Sequence, residues 1–326
     1  MTTVSVIITT HNRPHLLPRA IASARTAGRD VEIVVVDDAS SDETARVCQE
    51  IENIRYVRVE HNQQVAGARN IGLVASHGQF ITFLDDDDFR LPGSLDKQVE
   101  LLERNPTAAL VYGQVTPASI NDECAAAFPA TCPQGDIFWE LLTRNLIPCG
   151  SAVFRRSCLE RVGLLDDSIP RIDDWDLWLR LTELFPVVSL CAPVMIWRQA
   201  TADSKQGSSN TVDVINLSLT HFRARCLQMV RMKNASHRQR RQAWRRFSFN
   251  FAEHLAWETF RRLRAGQLKR AFVSARLLLR LHPATLLYLV CKWASAANIK
   301  ALITNHDDLE TTKNRFKEIR SVPDNP

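Results

Sequence analysis

Four consecutive aspartates, at positions 85–88, directly follow the apolar run of residues 80–84. Two carboxylates about 4 Å apart repel by roughly 1 kcal/mol in bulk water and by about 4 kcal/mol at an effective dielectric constant of about 20. A divalent cation would relieve this repulsion, and carboxylate oxygens suit Mg²⁺ or Mn²⁺, which share their remaining positions with water and substrate phosphates. The segment therefore predicts a site for a metal ion and a diphosphate, with a solvated acidic loop or a structural Ca²⁺ loop as alternatives.

The elements that must position these aspartates alternate between apolar, β-branched runs and helical patterns. Runs that are apolar on both faces indicate strands buried in a parallel sheet, and apolar residues at helical spacing indicate the helices between them. The predicted strands cover residues 4–10, 32–36, 54–59 and 80–84, and the clearest helices cover residues 16–24 and 66–76. This alternation predicts an α/β fold with an open sheet, in which ligands bind outside the carboxyl ends of the strands. Asp38 and the four aspartates both follow such ends.

The chain resembles the family 2 inverting glycosyltransferases in four segments that occur in the family's order: VSVIITTHNRP, EIVVVDDASSDET, NQQVAGARNIGLVASHGQFITFLDDDD and NLIPCGSAVFRRSCLERVGLLDDSIPRIDDWDLWLRL. They cover most of residues 4–181, and none is specific alone. The resemblance implies the glycosyltransferase A-type (GT-A) fold, a Rossmann-like and mostly parallel sheet flanked by helices, here with a helical C-terminal extension. It also implies a divalent-metal requirement and transfer of a sugar from a nucleotide-diphosphate sugar with inversion at the anomeric carbon.

By this resemblance, Asp38 corresponds to the aspartate that binds the nucleotide base, and Thr9 and the loop of His11, Asn12 and Arg13 line the same pocket. A carboxylate can accept the N3 proton of uracil or thymine, or the N1 and amino protons of guanine. Asp38 therefore leaves the donor nucleotide open. The alternative is that Asp37 and Asp38 only cap the helix that follows them.

The family's metal motif is Asp-any-Asp, which residues 85–87 fit. The resemblance implies that Asp87 binds Mn²⁺ or Mg²⁺ directly, that Asp85 contacts the ribose or the metal through water, and that Asp86 contacts the ribose or the metal. Four consecutive aspartates also allow a frame shifted by one position. Arg69 matches a recurrent position near the nucleotide, where it either reaches a phosphate or braces the aspartates through an ion pair.

An acceptor hydroxyl must lose a proton as it attacks the sugar, and a carboxylate within hydrogen-bond reach can take that proton. Asp173 and Asp174 open a predicted helix, as the corresponding acidic pair does in the family. We expect Asp174 to be the catalytic base and Asp173 to support it. Both acids would also stabilise the start of the helix, by roughly 0.3 to 1 kcal/mol each, and capping is the alternative role.

The chain departs from the family pattern after Trp197 and Arg198. Many relatives carry a histidine there as a further metal or phosphate contact, whereas this chain continues with Gln199, Ala200 and Thr201. Either Arg198 contacts the diphosphate instead, or water completes the metal shell, so the third metal ligand stays open. The small polar stretch of residues 200–209 is either a lid over the donor or a plain linker.

A chain of 326 residues with 45% hydrophobic content can bury a large core. The motifs predict a catalytic domain over residues 1–204, with a nucleotide-sugar-binding half (1–110) and an acceptor-side half (111–204), and a basic helical region over residues 205–326. Eight cysteines without paired metal-ligand spacing are typical of reduced thiols in a cytoplasmic protein. The sequence opens on a core strand and holds no apolar run near the ~20 residues of a membrane span, so we expect neither a signal peptide nor a transmembrane helix.

Charge is divided unevenly along the chain. Residues 1–204 carry 18 Lys and Arg against 28 Asp and Glu, whereas residues 205–326 carry 23 against 8. Each basic charge near an anionic membrane surface contributes about 1 kcal/mol of attraction, so we expect peripheral binding at the cytoplasmic face of the inner membrane. A solvated face is the alternative. The arginines expected to make this contact are Arg238, Arg240, Arg241, Arg245, Arg246, Arg261, Arg262 and Arg264.

Two apolar stripes at helical spacing in the basic region are expected to pack against the catalytic domain: Trp244, Phe247, Phe251 and Leu255, and then Leu268, Ala271, Phe272, Ala275 and Leu279. The region matches no motif that reads nucleic acid, and the aspartates would repel a phosphate backbone. We therefore expect no nucleic-acid partner.

Together these features predict a metal-dependent inverting glycosyltransferase of the hexosyltransferase type, acting on a glycan or lipid-linked acceptor in cell-surface or exported polysaccharide or glycolipid synthesis. The resemblance to the family favours a UDP-sugar as the donor, and dTDP- and GDP-sugars are the next candidates. A nucleotidyltransferase is an alternative, although residues 9–14 lack the Gly-rich, basic triphosphate loop that such enzymes commonly have. A non-catalytic sugar-nucleotide binder is another, because of the missing histidine. The sugar and the linkage are not specified by the fold.

Overall fold

The computed structural model describes residues 4–118, 124–198 and 211–281. In these residues the chain forms eight strands: β1 (Val4–Thr10), β2 (Val31–Asp37), β3 (Arg55–Arg58), β4 (Phe80–Asp85), β5 (Phe89–Arg90), β6 (Leu110–Ala118), β7 (Ala152–Arg155) and β8 (Val187–Arg198).

The same residues form eleven α-helices: α1 (Leu17–Thr26), α2 (Thr44–Gln49), α3 (Gln64–Ala75), α4 (Ser94–Glu103), α5 (Phe138–Thr143), α6 (Leu159–Val162), α7 (Asp173–Leu184), α8 (Thr211–Ala224), α9 (Val230–Asn234), α10 (His237–Arg264) and α11 (Leu268–Leu281). Short 3₁₀ turns lie at Cys149–Ser151, Arg156–Cys158 and Cys226–Gln228.

The eight strands form one sheet in the order β3-β2-β1-β4-β7-β6-β8-β5. Strands β3, β2, β1 and β4 run parallel, as the alternation of strands and helices predicts. Strand β7 is antiparallel to both β4 and β6, whereas β6 and β8 are parallel and β5 is antiparallel to β8. The first half of the sheet is therefore Rossmann-like, and the second half mixes strand directions.

Tight packing between α3 and β1 fixes the helix that carries Arg69. Val6, Ile7 and Ile8 of β1 are fully buried, which agrees with their apolar, β-branched run. Gly72 lies on α3 so close to this strand that a Cβ atom added there would be 2.3 Å from Ile7 Cγ2. The backbone of α3 thus rests directly on β1.

The strand register brings the polar residues to one edge of the sheet. Thr10 at the end of β1 pairs with Asp37 at the end of β2, and Thr9 pairs with Asp85 at the end of β4. Asp38 and the four aspartates follow these ends, so they lie at the carboxyl edge where open α/β sheets bind ligands.

A buried guanidinium links the two halves of the sheet. Arg90 of β5 is 1% exposed and donates to Thr82 Oγ1 at 3.1 Å, to the Gly150 carbonyl oxygen at 2.5 Å and to Gln98 Oε1. Gln98 in turn donates to the Ser151 carbonyl oxygen at 2.8 Å. Burial lowers the pKa of Arg90 to about 9. This arginine connects β5 and α4 to the turn at Cys149–Ser151.

The chain divides into two compact units, residues 1–250 and 251–326. The predicted boundary between residues 204 and 205 lies outside the described residues. Within the first unit, α8 is tied to α7 because Asp176 lies 3.2 Å from His221 Nε2 and accepts from Arg225 Nη1 at 3.1 Å. Phe247 of α10 is fully buried and stacks on Trp175 of α7. Helical residues after position 210 therefore support the helix that begins with Asp173.

In the second unit, the end of α10 and α11 form a helical pair. The buried residues of α11 are Ala271, Ser274, Leu277, Leu278 and Leu281. The predicted packing stripe is wrong for Leu268, Phe272 and Leu279, which are 68%, 68% and 51% exposed. The buried face instead centres near Ser274, which accepts from Arg262 of α10 at 3.4 Å. No helix in the described residues is long and apolar enough to cross a membrane.

Candidate active site

The aspartate loop, residues 85–88, turns from β4 into β5, and the Asp88 amide donates to the Asp85 carbonyl oxygen at 3.1 Å. Asp85 has a half-exposed side chain, whereas the other three aspartates are buried. The loop thus concentrates carboxylates where the sheet opens.

Arg13 and Thr10 hold the second and third aspartates of this loop. Thr10 Oγ1 donates to Asp86 Oδ2 at 2.7 Å, and Arg13 Nη1 donates to Asp86 Oδ1 at 2.8 Å. The same Arg13 nitrogen lies 3.4 Å from Asp87 Oδ2. One guanidinium therefore offsets part of the charge of two buried carboxylates.

Burial and the neighbouring carboxylates of Asp85 and Asp86 raise the pKa of Asp87 to about 7. Burial also raises the pKa of Asp86, against the effect of Arg13. For Asp88, burial together with Asp85 and Asp87 raises the pKa well above its usual range. In the part of the chain that the structure describes, four carboxylates of the loop are accompanied by the guanidinium groups of Arg13 and Arg69, so a cation would favour the ionised form of the loop.

The donor atoms of the loop fit a hard divalent cation. Asp85 and Asp87 offer carboxylate oxygens, the ligand type that Mg²⁺ and Mn²⁺ prefer. Among the described residues no group of three or more His, Cys, Asp or Glu side chains is arranged to hold a metal ion. Magnesium sites that use one or two carboxylates plus substrate phosphates need no such protein cage, and the loop matches that kind of site.

Arg69 joins the aspartate loop to the acidic pair, Asp173 and Asp174. Its Nη2 donates to Asp85 Oδ1 and its Nη1 donates to Asp173 Oδ2, both at 2.9 Å. The guanidinium is 6% exposed, and its Cζ lies 5.3 Å from the centre of the Phe83 ring. Of the two roles expected for Arg69, this geometry is that of a brace, and one of its partners lies 104 positions away along the chain.

The acidic pair opens α7, as the sequence predicts. Asp173 is buried against Arg69, whereas Asp174 is partly exposed. Asp174 Oδ1 accepts from the Trp175 amide at 2.7 Å, and its Oδ2 accepts from Asn145 Nδ2 at 3.3 Å. Burial and the adjacent Asp173 raise the pKa of Asp174 to about 7. A carboxyl with this pKa can take up a proton near neutral pH.

Asp38 directly follows β2, at the same edge of the sheet as the aspartate loop. Its Oδ1 accepts from the Gln63 amide at 2.6 Å, and its carbonyl oxygen accepts from His11 Nδ1 at 2.6 Å. Burial raises the pKa of Asp38. The capping alternative is wrong, because the N-cap of α2 is Glu43. Asp38 instead fixes the start of α3.

The loop that contains His11 and Asn12 is closed against the segment after β2. Asn12 has a φ of 55° in the left-handed region that asparagine tolerates, its amide donates to Ser40 Oγ at 2.9 Å, and its Oδ1 accepts from the Ser41 amide at 2.8 Å. Thr9 lies at the same edge between β2 and β4. The structure therefore brings Thr9, His11, Asn12 and Asp38 together, while Arg13 points to the aspartate loop.

Arg198 ends β8, and its amide donates to Asp88 Oδ1 at 2.8 Å. This hydrogen bond connects the end of β8 to the aspartate loop. Residues 199–210 lie outside the described residues, as do the position of the missing histidine and the predicted lid.

Sequence reasoning did not single out three residues that shape the site: Thr10, Gln63 and Asn145. Thr10 follows Thr9 in a strand, so its side chain lies on the opposite face. Asn145 opens the last segment of the family resemblance, which is the one signal that pointed to it. Gln63 acts through its amide, which no residue-type pattern reveals.

Residues 5–163 match the sequence profile described as Glycosyl transferase family 2. The chain is similar to the UDP-Glc:alpha-D-GlcNAc-diphosphoundecaprenol beta-1,3-glucosyltransferase WfgD of Escherichia coli, with 31% identity over 183 residues that cover 55% of this chain and 69% of that protein. The chain belongs to this glycosyltransferase family, as its sequence motifs predict.

A second relative is the GalNAc(5)-diNAcBac-PP-undecaprenol beta-1,3-glucosyltransferase of Campylobacter jejuni, with 40% identity over 119 residues that cover 35% of this chain and 38% of that protein. The chain also spans 62% of the length of an uncharacterized glycosyltransferase of Haemophilus influenzae.

Among solved structures, the chain is similar to S. aureus TarS residues 1–349 in complex with UDP-GlcNAc. The TM-score is 0.54 with 14% identity, and the match covers 84% of this chain and 90% of that chain. At this identity the likeness concerns the fold alone. It agrees with the predicted GT-A-type α/β fold with a helical C-terminal region.

Proposed function

We propose that this protein is a metal-dependent, inverting hexosyltransferase that transfers a sugar from a UDP-sugar to a hydroxyl of a lipid-linked glycan in cell-envelope synthesis. The observation that carries the proposal is the Arg69 bridge. It connects Asp85 of the aspartate loop to Asp173, the neighbour of Asp174, and Asp174 is a carboxyl whose pKa is raised to about 7.

On the donor side, Asp38 receives the nucleotide base, and Thr9, His11 and Asn12 line its pocket. The ionised Asp87, together with Asp85, would hold Mn²⁺ or Mg²⁺, and a bound ion would neutralise the departing diphosphate. Arg13 keeps Asp86 oriented and Arg198 anchors Asp88, so the loop retains one shape while the donor binds.

On the acceptor side, Asp174 is the base. Its carboxylate takes the proton of the acceptor hydroxyl, and the freed oxygen forms the new bond to the anomeric carbon on the face opposite the leaving nucleoside diphosphate. This single displacement inverts the configuration. Asn145 and the Trp175 amide hold the carboxylate, while Arg69 pairs with Asp173 so that the negative charge beside the base is partly offset.

The activities for which two relatives are named support the proposed substrates. WfgD is named for UDP-Glc and a diphosphoundecaprenol-linked GlcNAc, and the Campylobacter protein is named for a PP-undecaprenol acceptor. An enzyme that acts on such acceptors would work at the cytoplasmic face of the inner membrane, and the basic residues of positions 205–326 would favour an anionic surface there.

Calorimetric titration of UDP, dTDP, GDP and CMP, with and without Mn²⁺, tests the donor site. We expect tight binding of UDP only with Mn²⁺. Incubation with UDP-glucose and GlcNAc-diphosphoundecaprenol, followed by NMR assignment of the product anomer, then tests the reaction. Binding of UDP without transfer to any lipid-linked acceptor would favour a non-catalytic sugar-nucleotide binder. Absence of binding for every nucleotide would contradict the donor site itself.

A further inference from the structure

Helix α11 exposes a stripe of large apolar side chains. Leu268, Phe272 and Leu279 are 68%, 68% and 51% exposed, although the helix buries five other residues on its opposite side. Their spacings of four and seven residues place them on one face of the helix. Contiguous exposed apolar patches are uncommon on soluble proteins and mark contact surfaces.

A line of basic side chains runs beside this stripe. Lys269, Arg276 and Arg280 are exposed and are also spaced by seven and four residues. Helix α11 contains no aspartate or glutamate. The face therefore pairs apolar groups with positive charge that no acidic side chain of the same helix offsets, which is the composition of helices that lie in a membrane interface.

Arg261 and Arg262, two of the arginines expected to contact a membrane, form ion pairs within the protein. Arg262 is 7% exposed, and its Nε donates to Glu258 Oε1 at 2.6 Å. Arg261 Nη2 donates to the same Glu258 oxygen at 2.8 Å. Arg262 also donates to Ser274 Oγ of α11 at 3.4 Å, so this buried arginine joins the two helices. Arg261 binds Glu258 within α10 and stays exposed.

We propose that α11 lies on an anionic bilayer, with Leu268, Phe272 and Leu279 inserted below the headgroups and Lys269, Arg276 and Arg280 at the lipid phosphates. With 14 residues the helix is about 21 Å long, which is too short to cross a hydrocarbon core of about 30 Å. Both parts of the face fit one occupant, because acyl chains accept the stripe and anionic headgroups accept the basic line. The benefit of this contact, access to a lipid-linked acceptor, rests on the proposed function.

Co-sedimentation of the full chain with vesicles tests the surface. We expect binding to phosphatidylcholine vesicles that contain phosphatidylglycerol and little binding to phosphatidylcholine alone. The double variant Phe272→Ser/Leu279→Ser should lower the partition coefficient at least about tenfold. The triple variant Lys269→Gln/Arg276→Gln/Arg280→Gln should lower it about 100-fold, at about fivefold per charge.

Matched control variants distinguish binding through this surface of α11 from nonspecific adsorption to vesicles. Val74→Ser/Leu184→Ser removes two exposed apolar side chains from the first unit and should leave binding within about twofold. Arg241→Gln/Arg245→Gln/Arg246→Gln removes the same charge from exposed positions of α10 and should cost less than about fivefold. Equal losses in the α10 and α11 triple variants would overturn the proposal, as would equal binding of wild-type protein to neutral vesicles or no binding to either vesicle.

Light scattering during size-exclusion chromatography addresses a second copy of the chain as the occupant. A wild-type dimer that Phe272→Ser/Leu279→Ser converts to a monomer would overturn lipid binding as the role of the stripe. Vesicle binding and UDP binding are measured separately. If the protein binds UDP with Mn²⁺ but does not bind vesicles, only the proposed membrane contact of α11 is contradicted. If it binds vesicles but no nucleotide, only the proposed function is contradicted.

Discussion

The aspartate loop and the acidic pair are built from the same residue type, and in each of them one carboxyl has its pKa raised to about 7. Asp87 is crowded by two further carboxylates, Asp85 and Asp86, and Arg13 Nη1 lies near the carboxylates of both Asp86 and Asp87. Asp174 has one acidic neighbour, Asp173, whose charge is already paired with Arg69. In the proposed mechanism a cation would relieve the first arrangement, and a proton would relieve the second. The two raised groups thus differ in the number of carboxylates that crowd them, two around Asp87 and one beside Asp174.

The variant Asp174→Asn tests whether the acidic pair supplies the group that accepts the proton. An amide cannot take the proton of the acceptor hydroxyl, so we expect kcat to fall by about 10² to 10⁴ while the Kd for UDP with Mn²⁺ stays unchanged. Initial rates and calorimetry measure the two quantities. The matched control is Asp167→Asn, an exposed acid shortly before α7 that should retain full activity. A full rate in Asp174→Asn would assign the base to another group.

The variant Asp87→Asn tests whether the aspartate loop binds the cation. It removes a charged ligand, so we expect Mn²⁺-dependent UDP binding to weaken by more than the roughly 10 to 100-fold that loss of an outer partner of a metal site costs. Calorimetry with and without Mn²⁺ gives the ratio. Wild-type Mn²⁺ dependence in this variant would shift the metal motif to another register of the loop.

Substituting Arg69 tests whether the two acid clusters depend on each other. Lysine keeps the charge but cannot donate to Asp85 and Asp173 at once, so Arg69→Lys should lower kcat/KM by up to about 100-fold through misplacement of both clusters. Arg69→Met leaves the buried Asp173 without its guanidinium and should lower the free energy of unfolding by about 3 to 5 kcal/mol. Urea denaturation measures that loss. Activity of Arg69→Lys equal to wild type would mean that the bridge is only structural.

The pH dependence of the rate gives the smallest effect. Asp174 must be deprotonated to act as base, and its pKa is raised to about 7, so kcat/KM should rise about tenfold between pH values of about 6 and 8. Measuring the profile at saturating Mn²⁺ removes the contribution of Asp87, because a bound cation keeps that carboxylate ionised. A profile that is flat over this range would contradict the raised pKa of the base.

The sequence was sufficient for features set by local pattern. Strands β1, β2 and β4 were predictable because apolar runs on both faces have few alternatives, and their carboxyl ends placed Asp38 and Asp85 on one edge. An ion pair between Arg69 and the aspartate loop was one of two expected roles, but its second partner was not predictable, because Asp173 lies 104 positions away and only the folded chain brings the two together. The exposed face of α11 was mispredicted because apolar residues occur on two faces of that helix, and periodicity alone does not say which face is buried.

Arg90 has a consequence for exchanging parts between relatives. Its guanidinium is bound to the carbonyl oxygen of Gly150 and to the side chain of Gln98, which itself reaches the carbonyl oxygen of Ser151. A chimera that joins residues 1–110 of this chain to residues 111–204 of a homologue keeps the buried arginine and Gln98, and it preserves their hydrogen bonds only where the homologue's backbone places two carbonyl oxygens at the same positions. If the proposed function holds, a graft of the segment around Asn145 onto this scaffold disturbs this buried network less than an exchange of whole halves.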